Sequence, residues 1–174
     1  MGIHSRLSAK TLQLGFANAA ATYATGKVIG APIKYPNMVQ DPGNSCQLES
    51  LTLIDNNAQN GNIDVFFFNQ LPTTMGADQA TFAISAAESL FCLGVVSVTS
   101  YKSMGANAGV SNPQNVVTVL SGTQQQASTQ AVAPGSPTTF TPGGKDIWVL
   151  LVARASITYT AANSLFVTLG VVQY

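Results

Sequence analysis

Charge is scarce in this chain. Asp, Glu, Lys and Arg make up 8% of its 174 residues, against about 25% in a typical soluble domain. Histidine occurs once, at His4, and cysteine twice, at Cys46 and Cys92. Each scarcity excludes something. A Ser–His–Asp triad needs a histidine held rigidly beside its nucleophile, and His4 lies in the leading segment; no G-x-S-x-G elbow is present either. Cys46 and Cys92 have neither CxxC spacing nor a nearby histidine, so zinc is not expected. After cytoplasmic synthesis they would be reduced, buried thiols. No run reaches the roughly 18 apolar residues of a membrane span. The start, MGIHSRLSAK, lacks the apolar segment of a secretory signal, and its likeness to a myristoylation start fails at Arg6. With no phosphate-binding loop or dinucleotide fingerprint, no cofactor and no enzymatic activity are expected.

What replaces charge is Ser, Thr, Asn, Gln, Gly and Ala. Hydrophobic residues are 46% of the chain, which excludes disorder driven by charge repulsion. The length suits one domain, and a chain of about 150 residues buries roughly 70% of its unfolded surface. A low-charge surface of small polar residues suits a protein packed against copies of itself, and also an ordinary secreted β-domain. The few charges are unevenly placed. Arg6, Lys10, Lys27 and Lys34 precede Asp41 with no acid among them; from Asp41 onward seven acids face Lys102, Lys145 and Arg154. No basic cluster with interleaved aromatics occurs, so nucleic acid is not expected and a protein partner is favoured.

The chain is organised around Leu48–Thr74, LESLTLIDNNAQNGNIDVFFFNQLPTT. Its apolar runs Leu51–Ile54 and Ile63–Phe68 are too short for independent helices. The Asn- and Gly-rich loop Asp55–Asn62 suits a reversal. The expectation is two antiparallel strands joined as a hairpin. Alternation sends Ile63, Val65 and Phe67 to one face and Asp64, Phe66 and Phe68 to the other. Both faces are largely apolar, so the second needs cover from a sheet, a loop or another chain.

Further strands are expected at Lys27–Ile33, Thr81–Ile84, Leu93–Tyr101, Val116–Leu120, Asp146–Ala153 and Leu165–Val172, with a turn at Asp41-Pro42-Gly43. Ser85-Ala86-Ala87-Glu88 reads as a capping box opening a single helical turn. Residues 121–145 form a long Gln-, Ser-, Thr-, Pro- and Gly-rich loop, a length that usually contacts a partner or is a flexible insertion. Tyr159 is expected to pack back onto a sheet end, and Trp148 to serve the core. About eight strands without βαβ alternation imply an all-β fold, an antiparallel β-sandwich of jelly-roll type. Residues 21–174 form its single domain. Residues 1–20 are read as an extended N-terminal arm that orders on a neighbouring subunit.

Asp55 and Asp64 invite a glycosidase reading, and with Asn56, Asn57 and Asn60 a calcium reading. The spacing matches no EF-hand loop, and an Asp at the end of such a loop more often bonds its own backbone. The candidate interface residues are instead Arg6, Leu7, Lys10, Leu12, Leu14 and Phe16 of the arm, with Phe66 and Phe68 of the second strand. The two-faced apolar strands imply a homotrimer.

The succession Thr22–Ile33, Leu48–Thr74, Leu93–Val98, Trp148–Thr160 and Leu165–Tyr174 resembles small tailed-bacteriophage virion proteins, the capsid cement or decoration proteins. The Ile54-Asp55…Gln59-Asn60…Ile63-Asp64 segment and the Leu169-Gly170-Val171-Val172-Gln173 ending carry it most specifically, while residues 103–145 depart from it. The resemblance implies a jelly-roll-like fold, trimeric clamping of the major capsid protein, and a place on the outer surface of the icosahedral shell. The alternative is a tail-associated or adhesin-type β-sandwich that binds host glycans through the 121–145 loop.

Overall fold

The computed structural model describes residues 8–41, 45–103, 109–111, 118–121 and 144–173. Expectations for His4, Arg6, Leu7, Pro42, Gly43 and nearly all of the 121–145 loop fall outside these. The strands are β1 (Ser8–Phe16), β2 (Thr22–Tyr23), β3 (Val28–Tyr35), β4 (Ser45–Asp55), β5 (Ile63–Phe68), β6 (Cys92–Val98), β7 (Lys102–Ser103), β8 (Gly109–Ser111), β9 (Thr118–Ser121), β10 (Ile147–Ala153), β11 (Ile157–Thr158) and β12 (Leu165–Gln173). One helical turn, α1 (Ala86–Ser89), precedes β6.

The fold is all-β and antiparallel. Sheet one runs β1-β12-β4-β8-β7, with β9 also on β4; sheet two runs β3-β10-β5-β6; β2 and β11 form a small ribbon. The pairs nest along the chain. The outermost strands β1 and β12 pair, then β3 with β10, then β4 with β8 and β9, and innermost β5 with β6. One apolar core draws on both sheets. Phe16, Leu48, Leu51, Leu53, Leu165, Val167 and Leu169 come from sheet one, and Ile29, Ile63, Val65, Phe67, Val149 and Leu151 from sheet two. Tyr159 is buried there too, edge-on to Tyr23.

Two expectations of strand pairing are corrected. Strands β4 and β5 do not form a hairpin, because β4 belongs to sheet one and β5 to sheet two. The Asn-rich loop carries the chain across the gap of about 10 Å between packed layers, since each strand has an apolar face and both layers need one. The second correction concerns the arm. Ser8–Phe16 pairs with β12 residue by residue, from Ser8 opposite Gln173 to Phe16 opposite Leu165. Leu12 and Leu14 pack against the core and Phe16 is fully buried in it. The strict alternation of Leu12, Leu14 and Phe16 with Thr11, Gln13 and Gly15 is a period-two strand signal, and the nearest apolar surface is the chain's own core.

The outer face of sheet two has its own cover. Val28, Phe68, Leu150 and Val152 form a second cluster with Met75, against which Phe66, Phe82, Ile84, Phe91, Cys92 and Trp148 pack. The cover is the strap of residues 69–91 between β5 and β6. Trp148 therefore serves this outer cluster while half-buried, and Thr81–Ile84 is no strand: Thr81 makes a lone bridge to Lys27. The capping box is present, with Ser85 accepting from the Glu88 N–H. The Glu88 carboxylate also accepts from the backbone N–H of Thr73, Thr74 and Ser85 and from the hydroxyls of Thr73, Thr74 and Ser85. These donors hold its pKa far below the usual carboxylate range. In the strap's middle, Asp78 accepts from the Tyr23 hydroxyl at 2.9 Å and the Gly30 N–H at 2.6 Å. Gly30 sits at φ +72 where β3 slips register against β10, a bulge that glycine permits.

Candidate interaction surface

Those expected interface residues that lie among the described residues are not brought together into one surface. Lys10 folds back, its Nζ donating to the carbonyls of Pro36 at 2.6 Å and Asn37 at 3.1 Å. Leu12, Leu14 and Phe16 face the core. Phe68 is 0% exposed, and Phe66 lies between Phe68 and Phe82, with ring centroids 6.3 and 4.8 Å away. This corrects the assignment of Phe66 and Phe68 to subunit packing: their face is apolar because the strap lies on it.

The two aspartates of the central stretch have separate structural tasks. Buried Asp55 accepts the N–H of Asn57 at 2.9 Å on one oxygen and that of Asn60 at 3.0 Å on the other. With donors on both oxygens, the carboxylate is aimed at its own loop, which disfavours calcium and general acid–base work. Asp64 accepts from Ser97 at 2.6 Å and pairs with Arg154 at 2.8 Å. Among the described residues no group of three His, Cys, Asp or Glu is placed to hold a metal ion. No helix among them is long and apolar enough to cross a membrane. Burial pushes the Cys46 thiol up to about 12 and raises that of Cys92, so both resist forming thiolate. No disulfide joins them.

The sheet edges differ instead. On sheet one, the outer strand β1 carries Lys10. On sheet two, the edge strand β3 carries Pro32 and Lys34, the latter 3.3 Å from Asp146. Pro and Lys are common guards against edge-to-edge pairing. The opposite edge of sheet two, β6, has neither: no charged residue occurs between Glu88 and Lys102, and no proline. Val95 on β6 is 48% exposed, and Leu71 and Leu90 are each 38% exposed. Leu71 and Leu90 lie near the start of this strand, because Asn69 N–H donates to the Phe91 carbonyl and so joins the strap's two ends there. Beside them, both polar atoms of the buried Asn69 side chain have no hydrogen-bond partner among the described residues, an arrangement costing about 1–3 kcal/mol per group. Sequence reading passed over this edge, although the charge-free stretch Leu90–Tyr101 was visible in it.

No family model matches the chain, and no curated protein matches it significantly.

Proposed function

We propose that this protein is a structural virion component, a capsid cement or decoration protein that binds neighbouring major capsid subunits on the outer surface of a tailed-bacteriophage shell. In this reading it is an antiparallel β-sandwich of jelly-roll type, made in the host cytoplasm and acting as a homotrimer. It works without cofactor, nucleic acid or membrane. The nested strand pairs support the fold reading, since a long antiparallel ribbon rolled into two layers gives such an order, and jelly rolls are frequent in capsid domains. The sequence resemblance and the low charge support the partner.

The observation that carries the reading is the β6 edge. An unguarded edge offers a row of backbone donors and acceptors to an extended segment of another chain, and Val95, Leu71 and Leu90 add apolar contact beside it. Shell rupture would then have to break many such contacts at once. The test is to mix the purified protein with capsids lacking it, and in parallel with immobilised host polysaccharide, and to image the particles. Ordered density at fixed lattice positions is expected, with three copies per site. Retention on polysaccharide with bare capsids would overturn the reading in favour of an adhesin; a stable monomer in light scattering and on the particle would overturn the trimer.

A further inference from the structure

We propose that Asn60 is a site of spontaneous covalent ageing, where the side-chain amide is lost to give aspartate and isoaspartate in the folded protein. The pair Asn60-Gly61 is the chain's single Asn-Gly dipeptide. Glycine is the least obstructive residue after an asparagine, because no side chain shields its backbone nitrogen. The step needs only water. The Gly61 nitrogen gives up its proton and attacks the Asn60 side-chain carbonyl carbon. The bond to the amide nitrogen breaks and ammonia leaves. Water then opens the cyclic imide at one carbonyl or the other, giving aspartate or isoaspartate with no change of oxidation state.

Three features of the corner support this. Asn60 is exposed, and its amide is held by one local bond, Nδ2 to the Ala58 carbonyl at 3.2 Å, which leaves the carbonyl carbon open. The Gly61 N–H makes no hydrogen bond among the described residues, so the attacking nitrogen is free. The fold also enforces the glycine: a Cβ at Gly61 would run into Ile157, whose side chain is buried in the core. The protein thus cannot place a shielding side chain there without disturbing its packing. Asn163-Ser164 is an internal control. Asn163 has the same left-handed backbone, φ 54 against 52 at Asn60. The Ser164 nitrogen, however, donates to Asn18 Oδ1 at 2.8 Å, and Ser164 is buried.

The product would act on the corner. Asn60 N–H donates to buried Asp55, and the Gly61 carbonyl accepts from the Tyr101 hydroxyl at 2.8 Å. Isoaspartate lengthens the main chain between these two anchors, and either acid adds a charge beside Asp55.

The test uses the full chain, incubated folded in mildly alkaline buffer, beside a urea-unfolded sample, until the unfolded sample has converted at Asn60. Peptide mapping by mass spectrometry, with isoaspartate methyltransferase labelling, reads each site. The expected result is acid at Asn60 in the folded sample, rising with time, faster in alkaline than in acidic buffer, and well ahead of Asn163. If folded Asn60 keeps its amide while the unfolded chain converts, or changes no sooner than Asn163, the proposal is overturned.

Discussion

The two sheets are alike inside and unlike outside. Sheet one turns Thr11, Gln13, Ser50, Thr52 and Thr168 outward, and among the described residues no apolar cluster covers that face. Sheet two turns Phe66, Phe68, Leu150 and Val152 outward and is covered by its own strap, residues 69–91. Strands that are apolar on both faces therefore do not by themselves announce a partner chain. They announce a third layer, and here the same chain provides it. The argument for self-association from Phe66 and Phe68 falls with that observation, and the exposed apolar residues at the β6 edge take its place.

The comparison can be broken first where it is strongest. Phe67 faces the shared core and Phe68 the strap, and both are fully buried. If the outer layer is as much a core as the inner one, Phe67→Ala and Phe68→Ala should each cost about 3–5 kcal/mol in denaturant unfolding. A Phe68→Ala protein as stable as its parent would show that the strap packs only loosely.

A smaller effect is expected from the strap's closure. The Glu88 carboxylate binds both ends of the strap, and its pKa is lowered on folding. Such a group stabilises the fold fully above its unfolded pKa, near 4.5, and loses that contribution as pH falls below it. Glu88→Gln should therefore lower the thermal midpoint at neutral pH and narrow the gap to the parent as the buffer becomes acidic. A gap independent of pH would mean that the side chain's shape, not its charge, closes the strap.

Much of this was legible. The strand at Ile63–Phe68, its division into faces and the Ser85–Glu88 capping box follow from period-two alternation and from helix-end chemistry, and all three are found. The partner of each strand was not legible. Nothing in Asp55–Asn62 states whether the chain turns back beside β4 or crosses to the other layer, because Asn and Gly permit both. The role of residues 8–16 was obscured by position: Leu12, Leu14 and Phe16 alternate as a strand should, but a chain end is often loose. The covering role of the strap was hidden because Met75, Phe82 and Ile84 are scattered through irregular backbone with no period to read.

On the outer face of sheet one, single substitutions should do little. Gln13 is exposed on the outer face of β1, so Gln13→Ala should shift stability by less than about 0.5 kcal/mol. A larger loss, measured by the same unfolding titration, would show that sheet one also relies on an outer contact.

A similarly small effect on folding, and the most telling for function, is expected at Val95. This side chain is 48% exposed on an edge strand, so Val95→Lys gives up little buried apolar area and should change stability by less than about 0.5 kcal/mol. The substitution installs on β6 the kind of guard that β1 has in Lys10 and β3 in Lys34. A lysine there can reach solvent in the free protein, but an incoming strand would have to desolvate it with no acid on β6 to pair with. Capsid occupancy, measured by co-sedimentation, should fall sharply while the unfolding curve stays in place. Gln13→Lys, on the outer face of sheet one, should leave occupancy unchanged. If Val95→Lys decorates particles as fully as the parent, the β6 edge is not the contact, and the difference between guarded and unguarded edges has no bearing on assembly.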